Sequence, residues 1–283
     1  YIYFTRDKVI KYFLNSKTIL NRYKRSLNLK SLTPKIIKKT NNFYSYDKLE
    51  GKVIYESEDF NIMKSLLQWL EDNLWKTKKL NHLEKKAFKL SCKNFYYEKT
   101  LDRLNLFYER FNLQDTNGNV NGQFVLSTKD IIKKIDFDNL TNGIPSKFHG
   151  DLQFDNILIT PDNNFKLLDW RQDFAGKIEY GDKYYDLAKL NGGLYISYKK
   201  IKEGSFKYEG TFSNCFLSIE NDKFLLESKK IFNEFVIKNN LDIKKIEILT
   251  GLIFLNMSPM HHYPFSYYVY NLGRLQLIKN IDL

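Results

Sequence analysis

The feature that most restricts the fold is a pair of short apolar runs, ILIT at 157–160 and FKLL at 165–168, either side of the turn sequence PDNN. Runs of this length around a Pro/Asn/Asp turn predict a tight β-hairpin. Polar residues bracket it: His149, Asp151 and Asn156 lead into it with the spacing H-x-D-x-x-x-x-N, and Asp169 ends it. A hairpin returns its two ends to one place, so Asp169 is expected beside Asp151 and Asn156. Any fold that buries this hairpin therefore gathers three oxygen-bearing side chains at its mouth.

With 283 residues and 43% hydrophobic content, the chain can bury one large core or two modest lobes. Cys92 and Cys215 lie far apart with no C-x-x-C spacing, which excludes a disulfide framework or cysteine-based zinc site and fits a reducing compartment. No apolar run approaches the roughly 18 residues of a membrane span, and no charged-then-apolar leader opens the chain. The expectation is a soluble, cytoplasmic protein. The sequence opens on Tyr1 and YIYF reads as the interior of a strand, so the record is expected to start inside a longer polypeptide.

The net charge of +12 is uneven, with thirteen Lys and Arg against Asp7, Asp47 and Glu50 in residues 1–52 and near balance beyond. A basic first segment attracts a polyphosphate or an acidic partner by electrostatic steering, or is simply a solvated lysine face. The twenty Tyr and twenty-two Phe fall at core-like spacing with no basic aromatic motif, which argues against nucleic acid as the partner.

Residues 1–5 and 8–13 predict a strand pair, with Val9, Lys11 and Phe13 sharing one face. A basic helix follows over 16–29, with Ile19, Leu20, Tyr23 and Leu27 near helical spacing, and Pro34 closes it. Strands are expected at 36–37 and 43–46, and a hinge at Leu49, Glu50 and Gly51. Beyond it the pattern turns helical, first over 62–74 with Ser57 or Asp59 as N-cap and then through Leu101, Leu104, Tyr108 and Phe111. Residues 114–122, with two Asn-Gly pairs, read as loop, and 131–140, 184–200, 222–240, 243–258 and 266–280 as helix.

The H-x-D-x-x-x-x-N run followed by Asp169 has the spacing of a kinase catalytic loop and its metal aspartate. Phosphoryl transfer asks a protein mainly for positioning and charge neutralisation. Asp151 is then the candidate base for an attacking hydroxyl, and Asn156 with Asp169 the candidate Mg²⁺ ligands through hard oxygens. His149 is expected to brace the loop, and Gly150 to let the backbone turn. HGDLQFDNILI at 149–159, LLDW at 167–170 and YYDLAKL at 184–190 resemble the aminoglycoside phosphotransferase and choline kinase family.

That resemblance implies an α+β, protein-kinase-like bilobal fold with a small, N-terminally incomplete β-rich lobe at 1–51 and a large helical lobe at 52–283. It implies ATP, Mg²⁺ and a hydroxyl-bearing small-molecule substrate. It makes Lys11 the contact to the α- and β-phosphates and Asp186 a structural acid that supports the catalytic loop and caps a helix. Kinases usually pair such a lysine with a helical glutamate, yet 16–30 contains no acid and no glycine-rich phosphate loop is visible after Tyr1. Another carboxylate orients Lys11, or Arg22 or Lys24 alters how phosphates are held. DWRQDFAG, EYGD and YYDLAKL are most similar to kinases of bacterial surface-polysaccharide gene clusters, some fused behind a nucleotidyltransferase domain, which implies a role in capsule or lipopolysaccharide precursor synthesis. The alternatives are an aminoglycoside kinase, for which the near-balanced helical segment offers no acidic cluster, and a non-catalytic nucleotide-binding scaffold.

Arg171, directly after Trp170, is a candidate for phosphate or an anionic substrate, or for an ion pair with Asp173 or Glu179. His261, His262 and Tyr263 are candidates for hydrogen bonding a polyhydroxylated ligand. Adjacent histidines on a helix diverge by about 100° and seldom share a metal.

Overall fold

The computed structural model describes residues 1–281 apart from Glu58, Phe60 and Asn221. The first strands form as expected: β1 (Ile2–Phe4) and β2 (Lys8–Tyr12) pair antiparallel, with Val9 and Lys11 on the buried side of β2. Helix α1 (Ser16–Leu29) starts at Asn15, whose side chain accepts from the Lys17 amide. It ends at Leu29, five residues before Pro34. Strands β3 (Lys38–Lys39) and β4 (Phe43–Asp47) complete a four-stranded sheet in the order β1-β2-β4-β3. The strand predicted at 36–37 lies two residues on, at Lys38–Lys39, although the Ile37 amide still donates to the Ser45 carbonyl of β4 at 2.8 Å.

The inward face of α1 differs from the apolar stripe read in its sequence. Ile19, Arg25, Ser26 and Leu29 are buried, whereas Leu20 and Leu27 are exposed. The reason is what lies opposite: backbone carbonyls of the segment that carries His149, which need donors rather than methyl groups.

Strand β5 (Lys52–Val53) leads to α2 (Ile62–Asn73), which follows Asn61 with no side-chain cap; Asp59 instead accepts from the Asn61 amide at 2.8 Å. Helix α3 (His82–Lys93) runs through a π-wound turn at Asn94–Glu98 into α4 (Lys99–Phe111). Residues 114–122 hold more than loop. Asn121 and Gly122, both at positive φ, join β6 (Gly118–Val120) to β7 (Gln123–Val125). Short helices α5 (Thr128–Lys134) and α6 (Phe137–Leu140) lead to strand β8 (Pro145–Ser146).

The central hairpin is β9 (Ile157–Ile159) and β10 (Phe165–Leu167), fully antiparallel, with β5 on its outer edge. After β11 (Gly181–Asp182) come α7 (Lys183–Gly193) and α8 (Tyr198–Lys202). Strands β12 (Phe206–Gly210) and β13 (Asn214–Ile219) extend β6 and β7 into a second four-stranded sheet, with β13 parallel to β6. The chain closes with α9 (Lys223–Lys238), α10 (Ile243–Met257) and α11 (Phe265–Ile278). Helices α10 and α11 are buried along most of their length and cross where Gly251 and Gly273 meet. A Cβ on Gly273 would come within 2.9 Å of the Gly251 carbonyl oxygen. Together the elements form a small sheet lobe and a large, mainly helical one. No helix among the described residues is long and apolar enough to cross a membrane.

Candidate active site

The segment 148–156 runs between β8 and β9 and is held by helix α7 from below. Asp186 is fully buried; its Oδ2 accepts from the His149 amide at 2.7 Å and from Trp75 Nε1 at 3.3 Å, and its Oδ1 from the Gly150 amide at 2.7 Å. Burial pushes its pKa up to about 6, against those hydrogen bonds and the Arg25 charge. It does not cap α7. Asp182 does, accepting from the Tyr184 amide at 3.0 Å, because Asp186 sits a full turn inside the helix.

Gly150 has φ +87°, and a Cβ there would lie 2.7 Å from Arg171 Cβ, so the turn needs glycine. His149 is fully buried and donates from Nε2 to the Leu168 carbonyl at 2.8 Å. Its Nδ1 accepts from the Asp151 amide at 3.3 Å. One nitrogen donates and the other accepts, so the ring is neutral, and burial takes its pKa down to about 3.

The hairpin brings its ends together. The Leu168 amide donates to the Asn156 carbonyl at 2.7 Å, which sets Asp169 beside Asn156. Asn156 Nδ2 donates to the Asp151 backbone carbonyl at 2.8 Å and to its Oδ2 at 3.3 Å. Asp169 has φ +55°, a left-handed conformation that a non-glycine residue adopts at a cost and that clusters at functional sites.

Lys11 reaches this centre from β2. It is 2% exposed and forms an ion pair with Asp169 Oδ1, and Arg22 of α1 lies 3.9 Å from the same oxygen. The acid that orients Lys11 is thus Asp169. Burial, then the Arg22 charge, pulls the Lys11 pKa down to about 7, while the Asp169 carboxylate favours the ammonium.

Asp151 meets a residue that the sequence reading passed over. Lys189 Nζ lies 2.8 Å from Asp151 Oδ1. Burial pushes the Asp151 pKa up, but the charge and hydrogen bond of Lys189 hold it below the ordinary carboxylate value. Lys189 follows Asp186 by one helical turn, a spacing that sets both on one face of α7 and was the signal available. Arg25 is the other unread residue. It is 1% exposed, donates to the carbonyls of Phe148, His149 and Arg171, and stacks 3.7 Å above the Phe148 ring.

Arg171 forms no ion pair with Asp173 or Glu179; Glu179 pairs with Lys78 at 2.6 Å. Its guanidinium lies 4.8 Å from the Phe95 ring and faces a cavity of about 150 Å³ between α4, α7 and α10. His261, His262 and Tyr263 sit in the turn before α11 rather than on a helix. His262 Nδ1 is 3.2 Å from Arg110, His261 packs 4.8 Å from Phe265, and Tyr263 is 62% exposed. Of this turn, Met260 lines the cavity and those three do not.

Among the described residues, no cluster of three or more His, Cys, Asp or Glu side chains can hold a metal by itself. The oxygens that Asn156 and Asp169 keep free of Asp151, Lys11 and Arg22 make a two-donor hard-oxygen set. That set fits an ion such as Mg²⁺, which completes its shell with phosphate oxygens and water.

Comparison with solved structures follows this geometry. A Thermobifida fusca protein provisionally assigned as a fructosamine-3-kinase superposes with a TM-score of 0.55 at 12% identity, covering 96% of this chain and 85% of the other. The gentamicin complex of APH(2″)-IIa superposes at 0.50 and 12% identity, covering 97% and 86%. The choline kinase LicA of Streptococcus pneumoniae gives 0.49 at 13%, covering 99% and 89%. No protein-family model and no curated sequence matches the chain. The chain has a protein-kinase-like fold, shared with the two structures that superpose at 0.50 or above.

Proposed function

We propose that this chain is a small-molecule kinase that moves the γ-phosphate of ATP to a hydroxyl group. The observation that carries the reading is the meeting of Asp151, Asn156 and Asp169 at one hairpin mouth, with Lys11 on Asp169 and Lys189 on Asp151. Residues 1–51 serve as the nucleotide side, with Lys11 and Arg22 facing the phosphates, and 52–283 as the catalytic and acceptor side.

Asp151, kept ionised by Lys189, takes the proton of the acceptor hydroxyl. The freed oxygen pair forms a bond to the γ-phosphorus as the bond from that phosphorus to the bridging oxygen breaks, and ADP departs. Asn156 and Asp169 would hold Mg²⁺, which supplies charge neutralisation to the phosphate oxygens when bound. Arg25 and Asp186 act through the backbone, fixing Asp151 from two sides.

The contexts DWRQDFAG, EYGD and YYDLAKL support a place in surface-polysaccharide precursor synthesis in the cytoplasm. There a nucleotidyltransferase, fused or separate, would activate the phosphorylated product.

The test is ATP turnover over a panel of sugars, polyols, amino alcohols and their acidic derivatives, with product detected by ³¹P NMR. Asp151→Asn should lower kcat by about 10²- to 10⁴-fold with an unchanged circular dichroism spectrum. No phosphorylated product from any acceptor, or a full rate in Asp151→Asn, overturns the reading.

A further inference from the structure

The cavity beside Asp151 has one sign of charge. Lys99 and Arg103 project into it from α4, Arg171 from the segment after β10 and Lys189 from α7, and its lining contains no Asp or Glu. Lys189 is paired with Asp151. The other three form no ion pair among the described residues. Lys99 Nζ rests 4.2 Å from the Phe95 ring. Arg171 is held on that same ring, with its Nε buried and unpartnered. The polar contact of Arg103 is a weak one, to Met260 Sδ at 2.8 Å. Lys99, Arg103 and Arg171 are half-buried, and like charges drawn partly out of water around one small cavity without a carboxylate between them repel one another.

We propose that this cavity receives the anionic end of the acceptor, so that the substrate of the kinase reaction is a hydroxyl-bearing phosphate monoester or carboxylate rather than a cationic or neutral one. Arg171 and Arg103 offer planar donor forks for an oxyanion, and Lys99 a mobile ammonium between them. Lys189 stands between the cavity and Asp151, so an anion anchored there directs its own hydroxyl toward the base. Burial, and after it Arg171, Lys189 and Arg103, holds the Lys99 ammonium well below its usual range. The charge that offsets this repulsion is Asp151, already engaged by Lys189. The volume agrees, because about 150 Å³ is below the roughly 300 Å³ at which pockets for drug-sized ligands begin.

The proposal rests on the kinase reading for the word acceptor, and on the cavity alone for the anion. The two separate in one experiment: melting of the full chain with Mg²⁺ and a non-hydrolysable ATP analogue, then with glycerol, glycerol 1-phosphate, glycerate, choline or inorganic phosphate added at millimolar concentration. The anions should raise the melting temperature by several degrees, with glycerol and choline without effect. A response to glycerol 1-phosphate alone assigns a phosphate monoester, and one to glycerate as well a general oxyanion site. Lys99→Gln combined with Arg103→Gln should weaken anion affinity at least tenfold and keep the response to the nucleotide analogue. Lys99→Met alone, which retains the stem over Phe95, should melt at or above wild type without anion. A larger response to choline or glycerol, equal anion responses in the double variant, or no anion response at all overturns the proposal. A retained anion response with none to the nucleotide analogue refutes the kinase reading and leaves the anion site standing.

Discussion

Replacing Arg25 tests whether α1 acts as a clamp on the catalytic segment. Arg25→Met keeps most of the stem volume and removes the guanidinium that donates to the carbonyls of Phe148, His149 and Arg171. The His149 carbonyl keeps the Arg171 amide as a donor at 3.0 Å, so two acceptors left without donors cost about 2 kcal/mol each and the lost stack on Phe148 about 2 more, a gross loss of about 6 kcal/mol. Against this stands the release of a buried charge. Burial draws the Arg25 pKa down to about 9 from 12.5, a penalty of about 5 kcal/mol that the variant no longer carries. The balance is a destabilisation of about 1 kcal/mol. In a urea titration with a slope of about 3 kcal/mol/M, the midpoint should fall by about 0.3 M. Two of the three carbonyls flank Gly150 and Asp151, so the base also loses its placement, and kcat should fall about 100-fold. Arg25→Lys keeps the charge but not the fork and should fall between the two. A midpoint at or above that of wild type together with a kcat within twofold would refute the clamp.

Two further outcomes follow from the charges at the site. Lys189→Met removes the ammonium that holds the Asp151 pKa down, so the acid limb of the kcat/KM profile against pH should move to higher pH; an unmoved limb means that Lys189 does not set the base. His149 is neutral in the fold, with a pKa near 3, and takes a proton near 6.5 when unfolded, so the unfolded chain binds the proton first as pH falls. Its contribution to stability should drop by about 2 kcal/mol between pH 6.5 and 5, and the difference in urea stability between wild type and His149→Gln should lose that slope.

What the sequence disclosed was what lies close along the chain. The spacing of His149, Asp151 and Asn156, the apolar strands around the PDNN turn and the return to Asp169 are local, and one hairpin assembles them. The pairing of β6 with β13 joins residues almost a hundred positions apart, and three-residue strands beside Asn-Gly pairs carry too little alternation to reveal it. Arg25 was hidden for another reason. Hydrophobic periodicity finds a helix face that meets side chains, and α1 turns its buried face to carbonyls, so Leu20 and Leu27 misdirect the reading.

The charge tally is coarse in another way, since it counts charges without placing them, and their placement bears on the substrate. Beyond residue 52 the chain is near balance and offers no acidic cluster, which argues against a cationic acceptor such as an aminoglycoside. Several of its acids pair away from the cavity, as in Lys78 with Glu179, Lys89 with Asp138, Lys133 with Asp130 and Lys183 with Glu71. What remains around Asp151 is Lys99, Arg103, Arg171 and Lys189. A kinase that joins a polyphosphate to a cation needs positive charge on one side of the base and negative on the other. On the proposed kinase reading both sides are positive, with Lys11 and Arg22 beside Asp169 toward the nucleotide and Lys99, Arg103, Arg171 and Lys189 around the cavity toward the acceptor. That arrangement suits two anions brought together, whose mutual repulsion is the largest barrier to their meeting and the one fixed cations remove most directly.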